Sequence, residues 1–138
     1  MSYKILCKSL SDVNRDFIKY LEPKLMTYNL TLTMWRCLLI INNNSCCNLK
    51  YIAQSLSLDS ALITRNIRKL ENLNYISKTP RENDNRFFDL ILTDVGQRIL
   101  KEIDEFQDTW YSKITNSFND NELNNLIFLM KKLSDNID

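Results

Sequence analysis

The chain has 138 residues, 44% hydrophobic and 25% charged, with a formal net charge of +1. That length suits one domain, or a small domain with appended helices, and can bury a core without disulfides. One Gly and two Pro are too few for the turns of an all-β fold or for a Gly-rich phosphate loop, and His is absent, which removes Ser-His-Asp and Cys-His catalysis and His-containing zinc sites. No enzyme is expected.

Leu10, Val13, Phe17, Leu21 and Leu25 recur at three- and four-residue steps, which predicts a first helix with one apolar face. Pro23 is expected to kink that helix or to mark a local break. Thr31 or Thr33 is placed to cap a short second helix through Asn42, with Trp35, Leu38, Leu39 and Ile41 apolar. Residues 42–45 read as a loop. Asn48 caps a short helix containing Ile52, Ala53 and Leu56. Asp59 caps another, ending near Asn74, with Ile63, Ile67 and Leu70 inward and Ser60, Thr64, Arg65 and Arg68 on the other side. The junction Ser57-Leu58-Asp59 is short, so these two helices should meet steeply, as in a helix-turn-helix.

Asn74 tolerates the left-handed backbone that ends many helices. Residues 75–79 and 87–92 are strand candidates around the polar run 80–86, which predicts a hairpin with a charged tip. Thr93 caps a long helix striped with Ile99, Ile103, Phe106, Trp110 and Ile114. Asn119 and Glu122 form a capping-box start for a last helix carrying Leu123, Leu126, Ile127, Met130 and Leu133. A helix-turn-helix followed directly by a charged hairpin is a winged helix, here in a mainly α (α+β) chain.

Charge is unevenly spread. Residues 60–86 hold six basic side chains (Arg65, Arg68, Lys69, Lys78, Arg81, Arg86) against three acidic ones, whereas residues 99–138 hold four against eight. A basic middle beside an acidic tail fits a local nucleic-acid footprint. The first ten residues have scattered Lys and no long apolar run, and the longest apolar stretch, residues 37–41, is too short for a bilayer. A cytoplasmic protein without a membrane partner is expected. Cys7, Cys37, Cys46 and Cys47 then read as cytosolic thiols. Cys46 and Cys47 are adjacent and no CxxC exists, so neither a structural zinc nor another cofactor is expected.

The run Asp59-Ser60-Ala61-Leu62-Ile63-Thr64-Arg65-Asn66-Ile67-Arg68-Lys69-Leu70-Glu71 resembles the recognition helix of the MarR family of bacterial transcriptional regulators. Asp84-Asn85-Arg86, followed after five residues by Leu92-Thr93-Asp94-Val95-Gly96, is similar to that family's wing. Leu30-Thr31 through Trp35 and Leu38 resembles its second helix. The likeness runs from about Leu10 to the end. Asn74 stands where the family usually has Gly, and Asn85 where a basic residue is common. The resemblance implies one MarR-like chain over residues 1–138. Residues 31–98 would form the winged-helix core, and residues 1–30 and 99–138 the long N- and C-terminal dimerisation helices. It implies a homodimer gripping a pseudo-palindromic double-stranded operator, acting on transcription as a repressor. An isolated helical pair that exposed Phe106 and Trp110 would present a large apolar patch, which independently marks an interface unless these stripes form an intrachain core.

On this reading Thr64, Arg65 and Arg68 point into the major groove, with Lys69 beside them and Ser60 reaching phosphate at the helix start. In the wing, Arg86 enters the minor groove, where narrow A·T tracts concentrate negative potential. Asn85 flanks it, Lys78 and Arg81 reach phosphates, and Asp84 pairs with a nearby Arg to fix the tip. The plain alternative is a solvated helix face and an ordinary polar hairpin. Tyr20, Tyr28, Trp35, Phe106 and Trp110 are either core or the lining of a crevice that in this family takes small lipophilic or phenolic effectors.

The spacing from Cys7 to Asn29-Leu30-Thr31 is similar to the organic-hydroperoxide-sensing branch, which implies a redox role for Cys7. A thiolate near a helix start gains from the dipole, but the two Tyr that flank the thiol in that branch correspond to Leu21 and Leu32. An incidental thiol is the other reading. Cys37 looks like core, while Cys46 and Cys47 sit in a loop open to oxidation. A thiol-based peroxide sensor and a winged-helix protein-interaction module without DNA binding stand as alternatives to a ligand-modulated regulator.

Overall fold

The computed structural model describes residues 2–44 and 47–137, with the backbone alone for residues 85–87. The elements run α1 (Ser2–Met26), α2 (Leu32–Asn43), α3 (Leu49–Leu56), α4 (Ser60–Asn72), β1 (Ile76–Arg81), β2 (Asp84–Leu92), α5 (Asp94–Ile114) and α6 (Asp120–Asp135). This is the expected mainly α winged helix-turn-helix. Two compact units are present, residues 1–105 and residues 106–138.

Local chemistry explains the helix starts. Thr31, Asn48, Asp59 and Asn119 each accept a hydrogen bond from a backbone N–H of the turn they precede. Thr93 does the same for α5, its Oγ1 accepting from Gly96 N–H at 3.0 Å. Each such cap contributes about 1 kcal/mol by pairing a donor that the helix itself leaves open. At Asn119 the box is complete, since Glu122 accepts from the cap's own N–H at 3.0 Å.

Pro23 makes no break: α1 continues through it to Met26. Pro23 removes only the bond to the carbonyl of Lys19, and both residues are exposed, so water can serve that carbonyl. α2 runs one residue past the expected loop boundary. Asn44 ends it, its side-chain amide donating to the Ile40 carbonyl at 2.6 Å. Of the expected loop, Ser45 lies outside the described residues.

The core of the first unit joins Leu21 and Leu25 of α1, Met34, Cys37, Leu38 and Ile41 of α2, Ile52 of α3, Ile63, Ile67 and Leu70 of α4, and Ile99 and Ile103 of α5. Each helix contributes one stripe, which is why the three- and four-residue spacing was informative. The stripe of α1 is buried only in its C-terminal half; Leu10 and Val13 are exposed, and Phe17 is half-buried with its ring 6.2 Å from that of Trp35. In the second unit α6 buries none of its residues, and Ile127, Phe128 and Leu129 are each more than half exposed.

The hairpin departs from its expected form. The strands reach Arg81 and resume at Asp84, so only Glu82 and Asn83 form the turn, not the whole run 80–86. Pairing is antiparallel from Ile76↔Leu92 to Pro80↔Phe88, then shifts to Arg81↔Asp84. Pro80 is tolerated because a two-stranded sheet leaves each strand an open edge.

Candidate nucleic-acid interface

The helix-turn-helix is held by a left-handed residue at its corner. Ser57 takes φ 52°, ψ 43° after α3, and Leu58 N–H closes the turn on the Ala53 carbonyl at 3.0 Å. Asp59 then opens α4, accepting from Ala61 N–H at 3.0 Å. With Ile63, Ile67 and Leu70 buried, the helix has one fixed orientation about its axis. Ser60, Arg65, Arg68 and Lys69 are exposed on the remaining surface and Thr64 is half-buried. Steps of four place Ser60, Thr64 and Arg68 along one line, and Arg65 and Lys69 along its neighbour. The Thr64 hydroxyl donates to the Ser60 carbonyl at 2.8 Å, which leaves its lone pairs available to a donor. Asn66, which the sequence did not single out, is buried and donates to the Leu62 carbonyl at 2.8 Å.

Lys78 and Arg81 of the wing have carboxylate neighbours. Lys78 Nζ lies 3.3 Å from Glu71 at the end of α4, and Arg81 Nε donates to Asp89 of β2 at 3.2 Å. The first pair joins the wing to α4; the second crosses the hairpin. Neither partner was legible in the sequence. Asp84 is half-buried and sits opposite Arg81 in register. The side chains of Asn85 and Arg86 lie outside the described residues.

The wing's base is joined to α5 around Asn74 and Tyr75. Asn74 is left-handed, φ 60°, as its place predicts. Thr93 donates its hydroxyl to the Asn74 carbonyl at 2.7 Å and its N–H to the Tyr75 carbonyl at 3.0 Å. The Leu92-Thr93-x-x-Gly96 spacing is thus a joint: Thr93 caps α5 and clasps the chain leaving α4, and Gly96 lets α5 approach it.

The thiols separate by burial. Cys7 is exposed. It lies six residues into α1, beyond the first turn in which the helix dipole acts. Cys37 is core. Cys47 is not an open loop thiol: it is fully buried, and its carbonyl accepts from Leu90 N–H of β2 at 2.8 Å. Burial pushes both thiols up to about 11, with the Cys37–Cys47 proximity adding for Cys37 and Asp89 adding for Cys47. Cys46 lies outside the described residues. Among the described residues no cluster of Cys, Asp or Glu could hold a metal ion, and no helix is long and apolar enough to cross a membrane.

Residues 30–87 match the MarR family profile. The chain is 32% identical over 127 residues to the HTH-type transcriptional regulator BilQ of Clostridioides difficile (strain CD3), covering 92% of this chain and 86% of that one. The chain belongs to the MarR family. It is also 31% identical to the HTH-type transcriptional regulator SarZ of Staphylococcus aureus (strain MRSA252), covering 98% of this chain and 93% of that one. A crystal structure of MarR superposes with a TM-score of 0.82 at 23% identity over 94% of this chain and 88% of that one. A mutant MarR from E.coli complexed with operator DNA superposes with a TM-score of 0.73 at 22% identity, over 93% of this chain and 92% of that one. This MarR-family chain is a helix-turn-helix transcriptional regulator.

Proposed function

We propose that this MarR-family protein is a homodimer that binds a pseudo-palindromic double-stranded operator and represses transcription until a small lipophilic or phenolic ligand modulates it. The observation that carries the reading is α4 itself. Its apolar face is locked into the core, and Arg65, Arg68 and Lys69 stand exposed on the other side. Thr64, Arg65 and Arg68 read base edges, Lys69 and Ser60 hold phosphate, and the wing adds Lys78, Arg81, Asn85 and Arg86. Asp84 structures the wing tip. Residues 31–98 serve as the DNA-binding core, and residues 1–30 and 99–138 as pairing helices. The exposed apolar side chains of Leu10, Val13, Ile127 and Phe128 support pairing, since a lone chain would leave them in water. A twofold pair presents two recognition helices to half-sites about one helical turn apart. A buried Trp35 Nε1–H with no partner among the described residues supports an effector bearing an acceptor.

The test is selection of bound duplexes from random DNA, with sedimentation to set the oligomeric state. A twofold-symmetric motif and a dimer are the expected results. Arg86→Ala should weaken binding by at least about 1 kcal/mol with the fold intact. A monomer, or binding without sequence preference, overturns the reading.

A second reading rests on Cys7, the exposed thiol among those described. In it the same device senses peroxide. Loss of DNA binding on peroxide treatment, abolished by Cys7→Ser, would favour this over a ligand.

A further inference from the structure

Three connections converge just behind the recognition helix. Tyr75 follows α4 closely, its N–H closing on the Leu70 carbonyl at 3.0 Å. Its carbonyl accepts from Thr93 N–H, and Thr93 Oγ1–H reaches the preceding carbonyl, so the α4 exit is fastened to the start of α5. Its side chain turns the other way: Tyr75 Oη donates to the Tyr28 carbonyl at 2.8 Å, in the turn between α1 and α2. Tyr28 Oη in turn donates to the Glu102 carboxylate on α5. The Lys24 ammonium sits 5.3 Å from the centre of the Tyr28 ring.

We infer that Tyr75, Tyr28 and Glu102 are positioning residues for DNA recognition: with Thr93 they tie the end of α4 to α5 at two separated points and so fix the direction of the recognition helix. The inference rests on the dimeric DNA-binding reading above. Glu102 lies nine positions after Thr93, roughly 13 Å along a helix. One attachment would act as a pivot; two attachments that far apart set an orientation. In a twofold pair built on the pairing helices, that orientation sets the distance between the two recognition helices. Bivalent engagement gains its affinity only when both sites fit at once, so a loosened tie weakens binding to two half-sites and spares binding to one. The link is suited to this task because it is short and polar. The Tyr28 phenol keeps its proton against Glu102, its pKa raised above 10.0 first by that hydrogen bond. Tyr75 is 8% exposed, so its hydroxyl has little water to turn to when the Tyr28 carbonyl is withdrawn.

The experiment uses the full chain and a duplex recovered by the selection above, intact and with one half-site scrambled. The wild-type ratio of the two affinities reports on the dimeric reading; a ratio near one overturns that reading and this inference with it. Given a wild-type preference for the intact duplex, Tyr75→Phe and Glu102→Ala should each reduce it about tenfold. Single half-site affinity and thermal midpoint should stay near wild type. Glu102→Gln keeps an acceptor and should retain the preference. Glu102 is exposed, so Glu102→Ala decides the matter even if Tyr75→Phe folds poorly. An unchanged ratio, or equal loss on both duplexes, overturns the inference while leaving the dimeric reading in place.

Discussion

Gly96 faces the backbone of Tyr75 so closely that a Cβ at position 96 would lie 2.1 Å from the Tyr75 carbonyl oxygen. The obstructing atom is backbone, already accepting from Thr93 N–H, and it cannot rotate aside. Two effects oppose each other in Gly96→Ala. Helix propensity favours Ala by about 1 kcal/mol. The clash forces α5 off the wing joint, at about 1–3 kcal/mol or more. The clash should win, and the urea midpoint of Gly96→Ala should fall. A midpoint equal to or above wild type would show that α5 can shift without cost.

The exposed arginines of α4 predict the opposite pattern. Arg65 and Arg68 contribute no core packing, so Arg65→Ala and Arg68→Ala should change stability by no more than about 0.5 kcal/mol. Each should weaken specific DNA binding by about 1–3 kcal/mol if it pairs with a base edge. Anisotropy titrations at fixed salt, beside thermal melts, separate the two quantities. An arginine on a merely solvated face would leave both unchanged.

Much of this architecture was legible because it is local. A cap and its helix are neighbours in sequence, so Asn48, Asp59, Thr93 and Asn119 announce themselves, Thr31 is one of two candidates for α2, and the stripe Ile63, Ile67, Leu70 fixes which face of α4 is left outward. What escaped depends on residues far apart in the chain. The hairpin was expected to open at Pro80, yet strand pairing continues to Arg81 because the facing strand, not local propensity, decides where a ladder ends. Glu71 and Asp89 were ordinary surface acids until the fold set them beside Lys78 and Arg81. Cys47 follows a polar Asn-rich run and looked open, but its pairing with β2 draws it into the core. Tyr28 and Glu102 are 74 positions apart, beyond the reach of any periodicity.

The buried thiols make stability depend on alkaline pH. Cys37 and Cys47 are raised from an ordinary 9.0 to about 11, first by burial. Between those values the unfolded chain has released protons that the folded chain keeps. Stability is therefore whole below pH 9 and declines as pH rises toward 11, by at most about 1.4 kcal/mol per pH unit for each thiol. Urea midpoints at pH 8.5 and 10 should differ more for wild type than for Cys37→Ala, which also controls for Lys and Tyr titration. In native protein at neutral pH, brief iodoacetamide treatment should label Cys7 and spare Cys37 and Cys47, as read by peptide mass.

Asp89 offers the sharpest test of the wing. Its carboxylate lies 3.2 Å from Arg81 Nε, with the arginine side chain 38% and the aspartate 17% exposed. An ion pair this open contributes at most about 1 kcal/mol to stability. On the proposed phosphate contact of Arg81, the same carboxylate works against binding: it competes with phosphate for the guanidinium and adds negative charge near the duplex. Asp89→Asn keeps the shape and removes the charge. It should cost little stability, raise DNA affinity, and steepen the logarithmic salt dependence by up to about one unit as Arg81 takes a phosphate. Weaker binding with an unchanged salt slope would mean that Asp89 holds Arg81 where the duplex needs it, and that the pair acts as a brace instead of a competitor.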